Sequence, residues 1–193
     1  AFSPRLVNAM HRDDDSPPTI HPPLPAAMTV IPFGASEAEV VAEHGDGTKT
    51  WRYETNRAGG ILYAGDYVRE EIQAGGLTID FYYGRKHQAV MEAAGAAEAV
   101  LAVMDYCAGH YGSLAFGDGE RLKLIQSRVA GGGYAGDGAS LLDEADFTAH
   151  NLGDADKGGG AAEVMIHELV HQWWGLGNMF DTADPWSAEG LTC

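Results

Sequence analysis

The chain has 193 residues, and 45% of them are hydrophobic, which is typical of a sequence that folds around an apolar core. Because 28 acidic residues stand against 12 basic ones, the formal net charge is -16, which argues against nucleic acid as a partner. No stretch approaches the roughly 20 apolar residues of a membrane-spanning helix, so we predict no membrane segment in this chain.

Residues 1–25 are rich in proline and carry an acidic triplet, so we predict an extended arm without chemistry. Residues 26–83 contain short β-type segments separated by turn signals, and they predict a portion of a β-rich domain. The predicted strands lie at Met28–Pro32, Thr48–Tyr53, Gly59–Tyr63 and Leu77–Tyr83.

The periodicity of the apolar residues changes from that of a strand to that of a helix after Gly84. An apolar stripe over Val90–Cys107 predicts one long, largely buried helix, in which Cys107 is a small core residue. Leu122–Val129 predicts a strand, and Tyr134–Leu142 predicts a second strand interrupted by glycine. The apolar positions from Ala161 to about Trp174 then predict another helix.

The segment His167-Glu-Leu-Val-His171 carries the strongest chemical signal. Positions four apart lie on one face of a helix, so both imidazoles can bind one ion, while Glu168 lies beside them. A catalytic zinc takes three protein ligands, and Glu189 is the natural third. The sequence therefore predicts one Zn²⁺ per chain, against the alternative of two surface histidines. Glu163, one turn before His167, is either a hydrogen-bond partner of a histidine ring or a solvated side chain.

Two segments together resemble the gluzincin zinc aminopeptidases, the family of aminopeptidase N and the leukotriene hydrolase. His167–Gly175 is similar to the zinc-helix signature of this family, and Trp186–Thr192 is similar to its third-ligand segment. The resemblance covers about residues 60–193. It implies an α+β fold in which the end of a β-rich amino-terminal domain precedes the first part of a thermolysin-like metallopeptidase domain, residues 84–193. It also implies that Glu168 is the catalytic base.

The strand that resembles the substrate-binding strand of the family departs from the family pattern. Gly132–Gly138 aligns with the Gly-x-Met-Glu-Asn segment, and Ala135 stands where the family has the glutamate that binds the amino terminus of the substrate. The residues that we expect to bind a peptide through their backbone groups are Gly133, Tyr134, Ala135 and Gly136. The carboxylates that remain to replace the glutamate are Asp137, Asp143 and Glu144.

Two further departures concern the carboxyl-terminal end. Only 17 residues separate His171 from Glu189, one fewer than is usual in the family. The family continues with a helical subdomain and a tyrosine that stabilises the tetrahedral intermediate, whereas this chain ends at Cys193. We therefore expect a peptidase domain truncated from a longer protein, and an isolated chain with weak or no activity.

Two functions follow from these patterns. The first is a zinc-dependent metallopeptidase that hydrolyses peptide bonds, aminopeptidase-like but without the amino-terminus-binding glutamate. The second is a zinc-bearing peptide-binding or regulatory module of a larger protein, for which a membrane-anchored parent is left open. Glu168 favours the first function and Ala135 favours the second. The sequence leaves the compartment open between the cytoplasm and the extracytoplasmic face of a membrane.

Overall fold

The computed structural model describes residues 5–8, 23–33, 37–53, 61–74, 77–112, 121–128, 132–136, 138–146, 161–174 and 189–190. The fold is mixed α+β, and most of its regular structure is sheet. The chain divides into two compact units, residues 1–67 and 68–193. The change of periodicity after Tyr83 therefore falls inside the second unit.

The first unit contains two antiparallel sheets of three strands each. One sheet has the order β1 (Arg5–Asn8), β6 (Ile61–Gly65), β3 (Thr29–Pro32). The other has the order β2 (Pro23–Pro25), β5 (Thr48–Arg52), β4 (Glu39–Glu43). Four buried side chains of the unit form an apolar cluster: Val30, Tyr53, Leu62 and Ala64. The β-rich character predicted for this region is confirmed.

Two segments of the predicted arm are strands. β1 pairs with β6, and β2 pairs with β5, both in antiparallel register. β2 lies at the end of its sheet, where prolines, which donate no ladder hydrogen bond, are tolerated. The rest of the arm, residues 1–4 and 9–22, lies outside the described residues.

The second unit contains a five-stranded sheet in the order β10-β11-β9-β8-β7. Its strands are β7 (Tyr67–Ala74), β8 (Leu77–Gly84), β9 (Arg121–Ser127), β10 (Gly133–Gly136) and β11 (Ala139–Asp143). β8, β9 and β11 are parallel, and β10 pairs antiparallel with β11 at one end of the order. Because parallel strands run in one direction, the residues that follow β8, β9 and β11 meet at one edge of the sheet.

The described residues of the second unit include three α-helices: α1 (Gln88–Ala94), α2 (Ala96–Tyr111) and α3 (Ala161–Val170). The single long helix predicted over Val90–Cys107 is wrong, because Gly95 has a left-handed φ of 63° that ends α1 and starts α2. The helix predicted from Ala161 ends at Val170, and a turn follows through Trp174. No helix in the described part of the chain is long and apolar enough to span a bilayer.

The core of the second unit lies between the sheet and the helices. Alternate residues of β8 and β9, including Phe81 and Leu124, are buried in the same cluster as Met104 of α2 and Leu169 of α3. Cys107 belongs to this cluster, as predicted, and it is a free thiol. α3 packs against both α2 and the β10–β11 end of the sheet, which places the helix of the His167 motif over the terminal strand.

The segment Tyr134–Leu142 is a hairpin, and the single interrupted strand predicted there is wrong. Tyr134 pairs with Leu141, and Gly133 pairs with Leu142. Gly138 has a φ of 74°, a conformation that favours glycine and reverses the chain between β10 and β11.

Candidate metal centre

The end of α3 presents the two motif histidines together. The amide of His171 donates to the carbonyl of His167 at 3.1 Å, so helical geometry continues past the last residue of α3. The two rings lie with their centroids 4.5 Å apart and their planes nearly perpendicular, at 89°. Met165 and Leu169 are buried in the core, and this orients the helix so that both histidines stay half-buried at its margin.

Glu189 completes a three-residue cluster with these histidines. Its Oε2 lies 3.2 Å from His167 Nε2 and 3.5 Å from His171 Nε2. The two Nε2 atoms are 2.9 Å apart. The structure thus brings together all three predicted metal ligands, and the interval of 17 residues does not keep Glu189 away. Of the third-ligand segment, Glu189 and Gly190 are described.

The spacing of these three atoms suits a tetrahedral ion. Zinc with ligands at about 2.0 to 2.1 Å holds its ligand atoms about 3.3 Å apart, and the three measured separations of 2.9, 3.2 and 3.5 Å lie around that value. Two imidazoles and one carboxylate are also the ligand set of catalytic rather than structural zinc. The residues present therefore fit a zinc ion.

A hydrogen bond fixes the ring of His171 in the orientation that a metal ligand needs. His171 Nδ1 lies 3.1 Å from the carbonyl oxygen of Trp174, to which only a protonated Nδ1 can donate. In the neutral ring this leaves the lone pair on Nε2, the atom that faces His167 and Glu189. Such a bond raises the basicity of a ligand and fixes its tautomer.

Glu168 is buried beside the cluster and belongs to no described ion pair. Burial, and secondarily the negative charge of Glu189, raises the pKa of Glu168 to about 7. Its carbonyl accepts a hydrogen bond from Ser140 Oγ of β11 at 3.2 Å, and Gln172 Nε2 donates to the same hydroxyl at 3.1 Å. These bonds fasten the backbone of the helix to the sheet beneath it.

Gly133 of β10 lies directly against the Glu168 side chain. A Cβ atom added at Gly133 would stand 2.3 Å from Glu168 Cγ and 2.5 Å from Oε1, closer than any real side-chain contact. Of the other residues predicted to bind a peptide, Tyr134 is exposed, Ala135 is half-buried and Gly136 is buried. Among the described strands, β10 pairs only with β11.

The carboxylates considered as replacements for the missing glutamate have other partners where they are described. Asp143 Oδ1 accepts a hydrogen bond from the amide of Ala145 at 3.0 Å. Glu144 is held by basic residues. Asp137 lies outside the described residues. Glu163 is exposed, and no hydrogen bond joins it to His167 among the described side chains, as the solvated alternative predicts.

The basic residues around Glu144 were not predicted from the sequence. Lys86 and His87 follow β8, Arg128 follows β9, and Glu144 follows β11. The available signal was their position directly after predicted strands, but the parallel pairing that brings them together is not readable from local patterns.

A comparison of the sequence with protein-family models finds no match, and a comparison with curated proteins finds no relative. The site is therefore characterised by its own residues. His167, His171 and Glu189 form the cluster of potential metal ligands, and the buried Glu168 beside them contacts Gly133 of β10.

Proposed function

We propose that this protein is a zinc-dependent metallopeptidase that hydrolyses peptide bonds, with His167, His171 and Glu189 as zinc ligands and Glu168 as catalytic base. In this proposal residues 84–193 are the first part of a thermolysin-like domain of the gluzincin type. The observation that carries the proposal is the convergence of the three ligand atoms within 4.8 Å of one another beside a buried, non-ligating glutamate.

The chemistry divides between the metal and the chain. When bound, zinc polarises the scissile carbonyl and lowers the pKa of a water toward about 7. Glu168 takes a proton from the attacking water and delivers it to the leaving amine. Burial against Gly133 restricts the positions that the Glu168 side chain can adopt, which keeps the carboxylate beside the metal ligands for both transfers.

Peptide binding is assigned to β10. An extended peptide placed along a terminal strand gains main-chain hydrogen bonds regardless of its sequence. The Glu168 side chain fills the space that a Cβ atom of residue 133 would occupy. Gly133 therefore allows the strand and the base to lie this close together. Tyr134 is exposed on the same strand and offers an aromatic surface to a substrate side chain.

The first test is the zinc content of the protein purified without chelator. We expect about one zinc per chain, lost in His167→Ala and in Glu189→Ala and retained in His110→Ala, since His110 is an exposed histidine on α2. Hydrolysis of a broad peptide library, by this chain and by any longer protein that contains it, is the second test. It should be abolished in Glu168→Gln and unchanged in Glu163→Gln, an exposed glutamate on the same helix. Zinc retained in both ligand variants would contradict the assignment of the site.

A second candidate is a zinc-bearing peptide-binding or regulatory module of a larger protein, with a membrane-anchored parent as one form. The observation that favours it is the absence of a carboxylate from β10, whose residues are Gly133–Gly136. The same experiments separate the two candidates. Zinc bound in the predicted way and peptides bound without turnover, in wild type as in Glu168→Gln, would establish the binding module.

A further inference from the structure

A group of charged residues lies at the carboxyl ends of the parallel strands, separate from the metal ligands. We call it the strand-end cluster, and its members are Lys86, His87, Arg128 and Glu144. Lys86 Nζ forms an ion pair with Glu144 Oε1, and His87 Nε2 lies 3.2 Å from the same oxygen. Arg128 Nε donates to Glu144 Oε2 at 3.0 Å. Both carboxylate oxygens are thus engaged, and one buried anion holds two cations at fixed positions.

The strand-end cluster carries more positive than negative charge. Burial, and secondarily the charge of Lys86, lowers the pKa of His87 and so favours its neutral ring. Two cations therefore stand against the single carboxylate of Glu144.

The two cations keep capacity for a second anion. The side chains of Lys86 and Arg128 are 52% and 63% exposed, whereas that of Glu144 is 10% exposed. Arg128 uses Nε for Glu144, and its terminal amino groups have no hydrogen-bond partner among the described residues. A guanidinium and an ammonium held side by side are the donors that bind a carboxylate most strongly.

The strand-end cluster lies close to the proposed active site. Glu144 follows Leu142 by two residues, and Leu142 pairs with Gly133, which contacts Glu168. Two residues of strand span about 7 Å and paired strands lie about 5 Å apart, so Glu144 is on the order of 10 Å from Gly133, the residue that contacts the base. An extended peptide covers that distance in about three residues.

We propose that the strand-end cluster binds a carboxylate group of the peptide, and that the protein prefers peptides with such a group within about three residues of the bond placed at Glu168. The carboxylate has two sources, an acidic side chain or the carboxyl terminus. This inference rests on the proposed peptide-binding role of the site, but it does not require turnover. The competing role for the cluster is a purely structural clamp on three strand ends.

The test measures peptide binding to the zinc-loaded Glu168→Gln variant by fluorescence anisotropy. Three fluorescent peptides of equal length serve as probes: one with a single Glu and an amidated terminus, one with Gln in its place, and one with Gln and a free carboxyl terminus. We expect a carboxylate peptide to bind about tenfold more tightly than the neutral peptide at low salt, and the difference to shrink as salt rises. The position of the Glu is scanned over three residues on either side of the centre.

Variants assign the preference to residues. Lys86→Gln and Arg128→Gln should each reduce the carboxylate preference severalfold, while Lys49→Gln, which removes a positive charge from the first unit, should leave it unchanged. Arg128→Lys keeps the charge and should keep part of the preference. This variant keeps the test valid if Arg128→Gln fails to fold. Tighter binding of the Glu peptide identifies a side chain as the source, and tighter binding of the free-terminus peptide identifies the carboxyl terminus.

Equal binding of all three peptides, including no binding at all, overturns the inference. A preference that survives in both Lys86→Gln and Arg128→Gln overturns it as well and leaves the cluster as a structural clamp. A cluster-dependent preference combined with no hydrolysis by wild type supports the inference while it contradicts the peptidase proposal, so the two failures are distinguishable.

Discussion

The close contact between Gly133 and the Glu168 side chain provides a sharp test of the candidate site, the substitution Gly133→Ala. The added Cβ would lie 2.3 Å from Glu168 Cγ, 2.6 Å from Cδ and 2.5 Å from Oε1, whereas ordinary contact begins at 3.4 Å. Because the side chain of Glu168 is buried and packed over β10, relief requires the carboxylate or the strand to move by about 1 Å. The alanine therefore acts on the base without touching a metal ligand.

The expected effect is larger on catalysis than on stability. A displacement of about 1 Å of a catalytic group costs on the order of 100-fold in rate, so kcat/KM should fall by that factor. Overpacking costs about 1 to 3 kcal/mol of unfolding free energy, and the lower end applies if the Glu168 side chain swings aside. Zinc content should stay at one per chain, because His167, His171 and Glu189 are not displaced.

The assay combines peptide hydrolysis, elemental analysis and urea unfolding on the same preparation. Gly109→Ala is the control, since Gly109 lies in α2 and a Cβ there meets nothing within 4 Å. That variant should be about 0.5 to 1 kcal/mol more stable than wild type and equally active. In the double variant Gly133→Ala/Glu168→Asp, the shorter side chain should make the two losses less than additive. Wild-type activity and an unchanged unfolding midpoint in Gly133→Ala would refute the contact between β10 and the base.

Three further predictions concern stability. In the metal-free protein, the pKa of Glu168 rises from 4.5 to about 7 on folding, so this group lowers stability progressively as pH rises through that interval. Glu168→Gln should therefore stabilise the chelated protein by about 3 kcal/mol at pH 8 and little at pH 4.5, measured by urea unfolding at both pH values, with Glu163→Gln showing neither effect. Asp80 is fully buried and accepts hydrogen bonds from Arg69 and Arg121, so Asp80→Asn should cost about 2 to 3 kcal/mol by the same measurement; a loss below 0.5 kcal/mol would contradict it. Gly95→Ala forces a left-handed φ on alanine and should lower stability by about 1 kcal/mol in thermal unfolding, opposite in sign to Gly109→Ala.

Local sequence patterns were sufficient to predict features that lie within a single strand or helix. The alternation in Leu77–Tyr83 and the periodicity around His167 predicted a strand and a helix that the structure contains. The histidines are four apart on one helix, so their convergence follows from helical geometry alone. The approach of Glu189 was predicted from its residue type and from the family resemblance, since no local rule relates it to α3.

The wrong predictions of one helix and one strand arose where the conformation of a single residue decides whether an element continues or ends. Gly95 interrupts an apolar stripe that continues on both sides, so the hydrophobic pattern alone predicts one helix where two are present. Gly138 lies between two segments of similar character, and its positive φ turns them into a hairpin. A glycine is compatible with continuation and with reversal, and tertiary packing selects between them.

Long-range pairing accounts for what no local pattern indicated. β1 and β2 come from a proline-rich segment and gain their structure from partner strands many residues away. The strand-end cluster collects residues from three strand ends, and the contact of Gly133 with Glu168 joins the terminal strand to α3. These proximities depend on the order and direction of the paired strands, which local periodicity does not specify.

The parallel pairing of β8 with β9 also has a consequence for how the chain folds. Thr78 pairs with Arg121, so this step closes a loop that contains α1 and α2. Parallel pairing of strands so far apart in the sequence forms more slowly than either helix. The site draws on α3, on β10 and on Glu189, so its parts come together only after the sheet has formed. We therefore expect zinc bound at this site to slow unfolding and to have little effect on the folding rate.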